Sequence, residues 1–176
     1  CIGNTSEHCN GFQEVISCYN AITPHVKLSG PTSFRSIIFQ AIGTVQSTGT
    51  YHILVIVTDG EVVQVNETAD AIVQASNFPL SIICVGVGDG PFGVMEEFDD
   101  HLPKRKFDNF QFVNYNKVVK KAHLNQVPVE IEFAVAALQE IPDQYNYLKR
   151  NNKLTIPQQA PQFNFIAQNS VFSLVT

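Results

Sequence analysis

Two short stretches carry oxygen donors at the ends of patterned segments. Val57-Thr58-Asp59-Gly60 closes an apolar run that begins at Ile53, and Gly30-Pro31-Thr32-Ser33 stands just ahead of a helical stripe. Five consecutive branched aliphatic residues ending in Thr-Asp-Gly predict a buried parallel strand whose carboxyl end presents an oxygen ligand. Strand ends of an open sheet gather at one rim, so the Asp59 carboxylate and the Thr32 hydroxyl form a donor pair suited to a hard cation such as Mg²⁺. Two donors leave most of an octahedral shell to water. The same spacing has a simpler reading, which spacing alone favours: Thr32 caps a helix beginning at Ser33, and Asp59 bonds the turn at Gly60.

Other chemistry finds less support. Gly86-x-Gly88-x-Gly90 follows an apolar run, but a dinucleotide fingerprint needs its third glycine one residue later, and Pro91 suits a plain strand-to-helix turn. No nucleophile elbow, phosphate loop, His-Glu-x-x-His or Cys/His array occurs. His8, His25, His52, His101 and His123 are scattered. The pairs Glu96-Glu97 and Asp99-Asp100 read as a solvated face. The residues therefore supply no catalytic group and no cofactor-binding motif, and the chain is not expected to be an enzyme.

The elements that must position Thr32 and Asp59 alternate. Phe12, Val15, Ile16, Tyr19 and Ile22 recur at helical spacing, with Asn10 as a candidate cap and Pro24 as a stop. Phe34, Ile37, Ile38, Ala41, Ile42 and Val45 form a second stripe closed by Gly49. A strand over Ile53 to Val57, a helix from about Asn66, a strand from Leu80, a short helix holding Phe92, Met95 and Phe98, and a strand over Phe110 to Val113 follow. Pro128 opens a last helix, with Ile131, Ala134, Val135, Leu138 and Ile141 expected to face inward. This order specifies an α/β fold of the doubly wound type, a mainly parallel sheet with helices on both faces. Residues 1–147 are expected to form the domain and 148–176, rich in Asn, Gln and Pro, a loosely attached tail containing Phe163, Phe165, Phe172 and Leu174.

With 176 residues, 44% of them hydrophobic and 15% charged, the chain has material for one core. A net charge of −5 disfavours nucleic acid, which demands a basic face. Lys104-Arg105-Lys106 and Lys120-Lys121 read as solvated turns. Cys1, Cys9, Cys18 and Cys84 lack metal or redox spacing, and Cys84 reads as a buried thiol, so a cytoplasmic, reducing location is expected despite the sequons Asn4-Thr5-Ser6 and Asn66-Glu67-Thr68. Any membrane or nuclear association would come through a parent protein. No apolar stretch approaches twenty residues, so direct membrane insertion is not expected. The start at Cys1, with Met95 the single methionine, reads as a fragment of a longer coding sequence.

Pro24-His25-Val26-Lys27-Leu28-Ser29-Gly30-Pro31-Thr32-Ser33-Phe34, Val57-Thr58-Asp59-Gly60, Leu80 to Pro91 and Phe107 to Asn114 together resemble the copine family from about Cys9 to Tyr147. Val85-Gly86-Val87-Gly88-Asp89-Gly90-Pro91 and Glu96-Glu97-Phe98-Asp99-Asp100 are most similar to the branch that precedes a RING finger in ubiquitin ligases. The resemblance implies a von Willebrand factor A-like domain with sheet order three-two-one-four-five-six, of which this chain would hold strands four to six. It implies a Mg²⁺ or Mn²⁺ site in which Thr32 and Asp59 match two ligand loops, while the Asp-x-Ser-x-Ser loop of the first strand is absent here. A protein partner's acidic side chain would complete the cation's shell. The functions implied are an intracellular protein-binding module, the substrate-recruiting segment of a RING-type ligase, or part of a calcium-dependent phospholipid-binding adaptor. The chain itself has neither RING cysteines nor the family's lipid-binding domains. Without a first strand, the strand from Ile53 should present an open edge, prone to aggregation unless the Phe-rich tail or the segment before Cys9 covers it.

Overall fold

The computed structural model describes residues 9–27, 32–102 and 105–154. Cys1, the sequon at Asn4, His8, residues 28–31 of the motif ahead of Thr32, Lys104 and the Phe-containing tail from 155 onward lie outside the described residues. Three apolar segments form a parallel sheet in the order β1 (His52–Thr58), β2 (Leu80–Gly86) and β3 (Phe110–Asn114). The helices are α1 (Phe12–Ile22), α2 (Arg35–Thr48), α3 (Val65–Ala75), α4 (Gly93–Asp100), α5 (Tyr115–Asn125), α6 (Val129–Leu138) and α7 (Ile141–Arg150). Strand, crossover helix and strand alternate as the sequence predicts, and the fold is α/β.

Side chains alternate across a strand, so each strand feeds two cores. On one face Ile56, Ile82, Cys84, Phe110 and Phe112 meet Ile38 and Ile42 of α2, Ile72 of α3 and Met95 and Phe98 of α4. Complete burial of residues such as Ile38, Ile72 and Ile82 stabilises the fold by about 1.5–3 kcal/mol each. On the other face Ile83, Val85 and Val113 pack against Val118 of α5 and Ala137 of α6. That cover stops at β2. Ile53, Val55 and Val57 of β1 point to the same side and are 41%, 57% and 65% exposed.

Local signals explain the end of α2 and the start of α5. Gly49 closes α2 in the left-handed region at φ 65°, its N–H donating to Val45 O at 2.8 Å, the geometry that favours glycine after a helix. Gly86 has a packing role: a Cβ there would come within 2.9 Å of the Phe92 and Phe112 rings. Asn114 caps α5 by accepting the Lys117 N–H at 3.1 Å.

Several expectations need correction. Helix α2 begins at Arg35, and Ser33 rather than Thr32 receives its first amide, from Arg35 at 3.2 Å. The stripe of α1 is real but faces no core: Phe12 is 76% exposed and Tyr19 67%. The segment from Pro128 is two helices, and Ile131, Val135 and Leu138 are exposed while Glu132, Phe133, Ala136 and Ala137 turn inward. Apolar residues surround α6 on all sides, so periodicity could not choose its buried face. Arg105, expected on a solvated turn, is largely buried and pairs with Asp108 at 2.7 Å. Cys18 is disulfide-bonded, so the cysteines no longer argue for a reducing compartment. Helix α7 continues through Tyr147, and Leu148 is fully buried.

Candidate functional site

The carboxyl rim of the sheet is built from backbone hydrogen bonds between loops. β1 ends where Val87 N–H donates to Thr58 O at 2.8 Å. The Thr58 hydroxyl then donates to Gly60 O at 2.8 Å and closes the turn that carries Asp59. Beyond it, the N–H groups of Val63 and Gln64 donate to Thr32 O at 2.9 and 3.3 Å. The segment ahead of α2 and the loop after β1 are thereby stitched together. Asp59 is four residues from Val63, at most about 14 Å of extended chain. Both Thr32 and Asp59 are exposed.

Neither residue plays the structural role that spacing favoured. Thr58, not Asp59, bonds the turn at Gly60, and the helix start is served by Ser33 and by Thr68, whose hydroxyl accepts the Phe34 N–H at 3.3 Å. The Asp59 carboxylate and Thr32 side chain face solvent on neighbouring loops. Their donor chemistry fits a hard cation; their number does not hold one alone, because a six-coordinate shell would take at least four ligands from water or a partner. Among the described residues no group of three or more His, Cys, Asp or Glu side chains is placed to hold a metal ion.

Glu61 adds a contact that sequence reading missed. Its Oε1 accepts the Val94 N–H at 3.0 Å, a carboxylate at the positive end of α4. Phe92, just ahead of α4, and Gly93, its first residue, offer no capping side chain of their own. The only available signal was an acidic residue in a loop, which by itself predicts nothing.

At the far side of the sheet, a cavity of about 420 Å³ lies beside β3 between α4, α5 and α6. Glu96 pairs with Lys117 across it, and Lys121 with Glu132. Asp99 was expected on a solvated face; instead its Oδ1 accepts the Phe112 N–H at 3.2 Å, while Gln111 Nε2 donates to Phe112 O at 3.2 Å. Chain direction alone does not reveal such a tertiary cap.

Cys84 lies beneath the sheet surface with no exposure, and burial pushes its thiol up to about 12. It is a packing residue, as expected. No helix among the described residues is long and apolar enough to cross a membrane.

The open parallel sheet, with exposed oxygen donors on stitched loops at its carboxyl rim, defines an α/β domain of the open-sheet class. The copine family pattern matches residues 2–157, and the chain belongs to the copine family. It is 48% identical over 183 residues to the E3 ubiquitin-protein ligase RGLG1 of Arabidopsis thaliana, covering 94% of this chain and 37% of the relative. It is 50% identical over 141 residues to Copine family protein 2 of Caenorhabditis elegans, covering 80% of this chain and 2% of that one. The chain thus spans little more than a third of the plant relative it matches. A crystal structure of the manganese-loaded Plasmodium vivax TRAP protein aligns at a TM-score of 0.44 and 11% identity, over 62% of this chain and 46% of that one, a likeness that carries no argument.

Proposed function

We propose that the chain is a protein-binding module whose docking point is the carboxyl rim around Thr32 and Asp59. The observation that carries this reading is the pair of hydrogen bonds from Val63 and Gln64 to Thr32 O, which draws two oxygen-bearing loops together while leaving their side chains to solvent. A divalent cation, Mg²⁺ or Mn²⁺, would take the Thr32 hydroxyl and the Asp59 carboxylate as ligands and supply a positive charge at the rim. An acidic side chain of a partner is the complementary group.

A Mn²⁺ titration followed by electron paramagnetic resonance tests the ligands. Weak, saturable binding that Asp59→Ala abolishes and Thr32→Ala weakens is the expected result; binding unchanged by both substitutions would remove the cation from the proposal. The similarity to plant ligases favours one finer reading, in which the parent protein transfers ubiquitin and this segment recruits its substrate. Proximity labelling from the full-length parent, with Asp59→Ala as the control, should lose a defined set of labelled proteins.

A further inference from the structure

We infer that a cavity at the end of α3 is an anion site that takes a phosphoryl group on Arg105 and Lys106. It sits just ahead of β2 and β3, at the amino end of the sheet, and is independent of the rim around Thr32 and Asp59. The cavity holds about 250 Å³ and is lined by Val73, Ser76, Asn77, Arg105 and Lys106. That lining carries two cations and no carboxylate.

Cations beside a helix C-terminus ordinarily serve its unpaired carbonyls. Here other donors already do so. Ile72 O accepts the Ser76 N–H at 3.2 Å and Asn109 Nδ2 at 3.0 Å, and Val73 O accepts the Ser76 hydroxyl at 2.7 Å. Gln74 O accepts the Asn77 N–H at 3.1 Å, and Ala75 O the Phe78 N–H at 3.0 Å. The last carbonyls of α3 are therefore satisfied without either cation.

Arg105 is only partly engaged. Its Nη2 donates to Asp108 Oδ1 at 2.7 Å and to Asp99 O at 3.2 Å. Nη1 is buried, in a side chain 10% exposed, and has no hydrogen-bond partner among the described residues. A donor removed from water without an acceptor is costly, and a guanidinium nitrogen left in that state is matched by an oxyanion. The Lys106 N–H donates to Ser76 Oγ at 3.1 Å, which ties the segment carrying both cations to the end of α3. Lys106 is exposed, and no carboxylate among the described residues pairs with its ammonium. A phosphoryl group suits this set better than a carboxylate, because its second charge and third oxygen let it meet the guanidinium and the ammonium together. Asp108 offsets part of the positive charge, so millimolar affinity is expected.

Titration of the 176-residue chain with inorganic phosphate at constant ionic strength, followed by backbone and arginine side-chain NMR resonances, tests this. Saturable shifts confined to the lining residues are expected. Lys106→Ala, at an exposed position that leaves the fold intact, should weaken binding about threefold. Arg105→Lys, which keeps the charge but loses the planar fork, should weaken it at least about tenfold. N-acetylphosphoserine amide separates the two sources of the group: binding at least as tight as that of phosphate assigns the site to a phosphorylated side chain, and weaker binding assigns it to the free anion. No shift with phosphate, equal shifts with chloride, or binding unchanged in both variants would each overturn the inference.

Discussion

The two edges of the sheet are finished by different means. At β3 the outward N–H and C=O of Phe112 are taken by Asp99 and Gln111, and α4 and α5 flank the strand. At β1 no described side chain takes that role, and three branched aliphatic residues stand in the open. Side-chain plugs close an edge without adding a strand, whereas an apolar edge left open is a template for one. Within one small sheet, β3 is terminal by construction and β1 is an interior strand in composition.

Substitutions can sharpen this contrast. Phe110 is fully buried in β3 and packs edge-on against Phe98, so Phe110→Ala should cost about 3–5 kcal/mol in chemical denaturation, the largest effect expected. Asp99→Ala, which strips the Phe112 N–H of its acceptor, should cost about 1–3 kcal/mol and increase light scattering as the β3 edge opens. A variant that loses stability without associating would show that Asp99 supports packing rather than closing the edge. Val55→Lys, at a half-exposed edge position, should leave the thermal midpoint within a few degrees and lower light scattering at high protein concentration, because a charge on an edge opposes pairing. Asp59→Ala should move stability by no more than about 0.5 kcal/mol, as an exposed residue whose turn is bonded by Thr58.

The buried thiol gives a pH-dependent expectation. Burial holds the folded Cys84 thiol at about 12, against an ordinary value of 9.0. Its protonated form is thus favoured by folding, and that contribution is fully present below pH 9 and falls away as the pH rises from 9 through about 12. Alkylation of Cys84 should be blocked in the folded chain at neutral pH and become rapid in denaturant. Ready labelling of the folded protein would place Cys84 in a more open environment.

Sequence pattern disclosed the sheet more fully than the helices behind it. The three strands announce themselves as apolar runs, and α2 carries a buried stripe of Ile38, Ile42 and Val45, continued by Phe34 just ahead of it. Helix α5 was missed because only Val118 and Ala122 are buried on it, too thin a stripe to show a period, although Asn114 offered a capping signal. Helix α6 misled in the opposite way, with apolar residues on every side. Of the candidate site, Thr32 and Asp59 were legible as oxygen donors at element ends. Their junction was not, since it depends on the backbone amides of Val63 and Gln64, which no residue type encodes.

The loop leaving β1 is held at three points: to β2 through Thr58 and Val87, to the segment ahead of α2 through Thr32, and to α4 through Glu61. It is a hub with three spokes rather than a free tether. A force applied at Asp59 must either carry those neighbours along or snap one of the spokes, so the rim answers a load as a single mechanical unit.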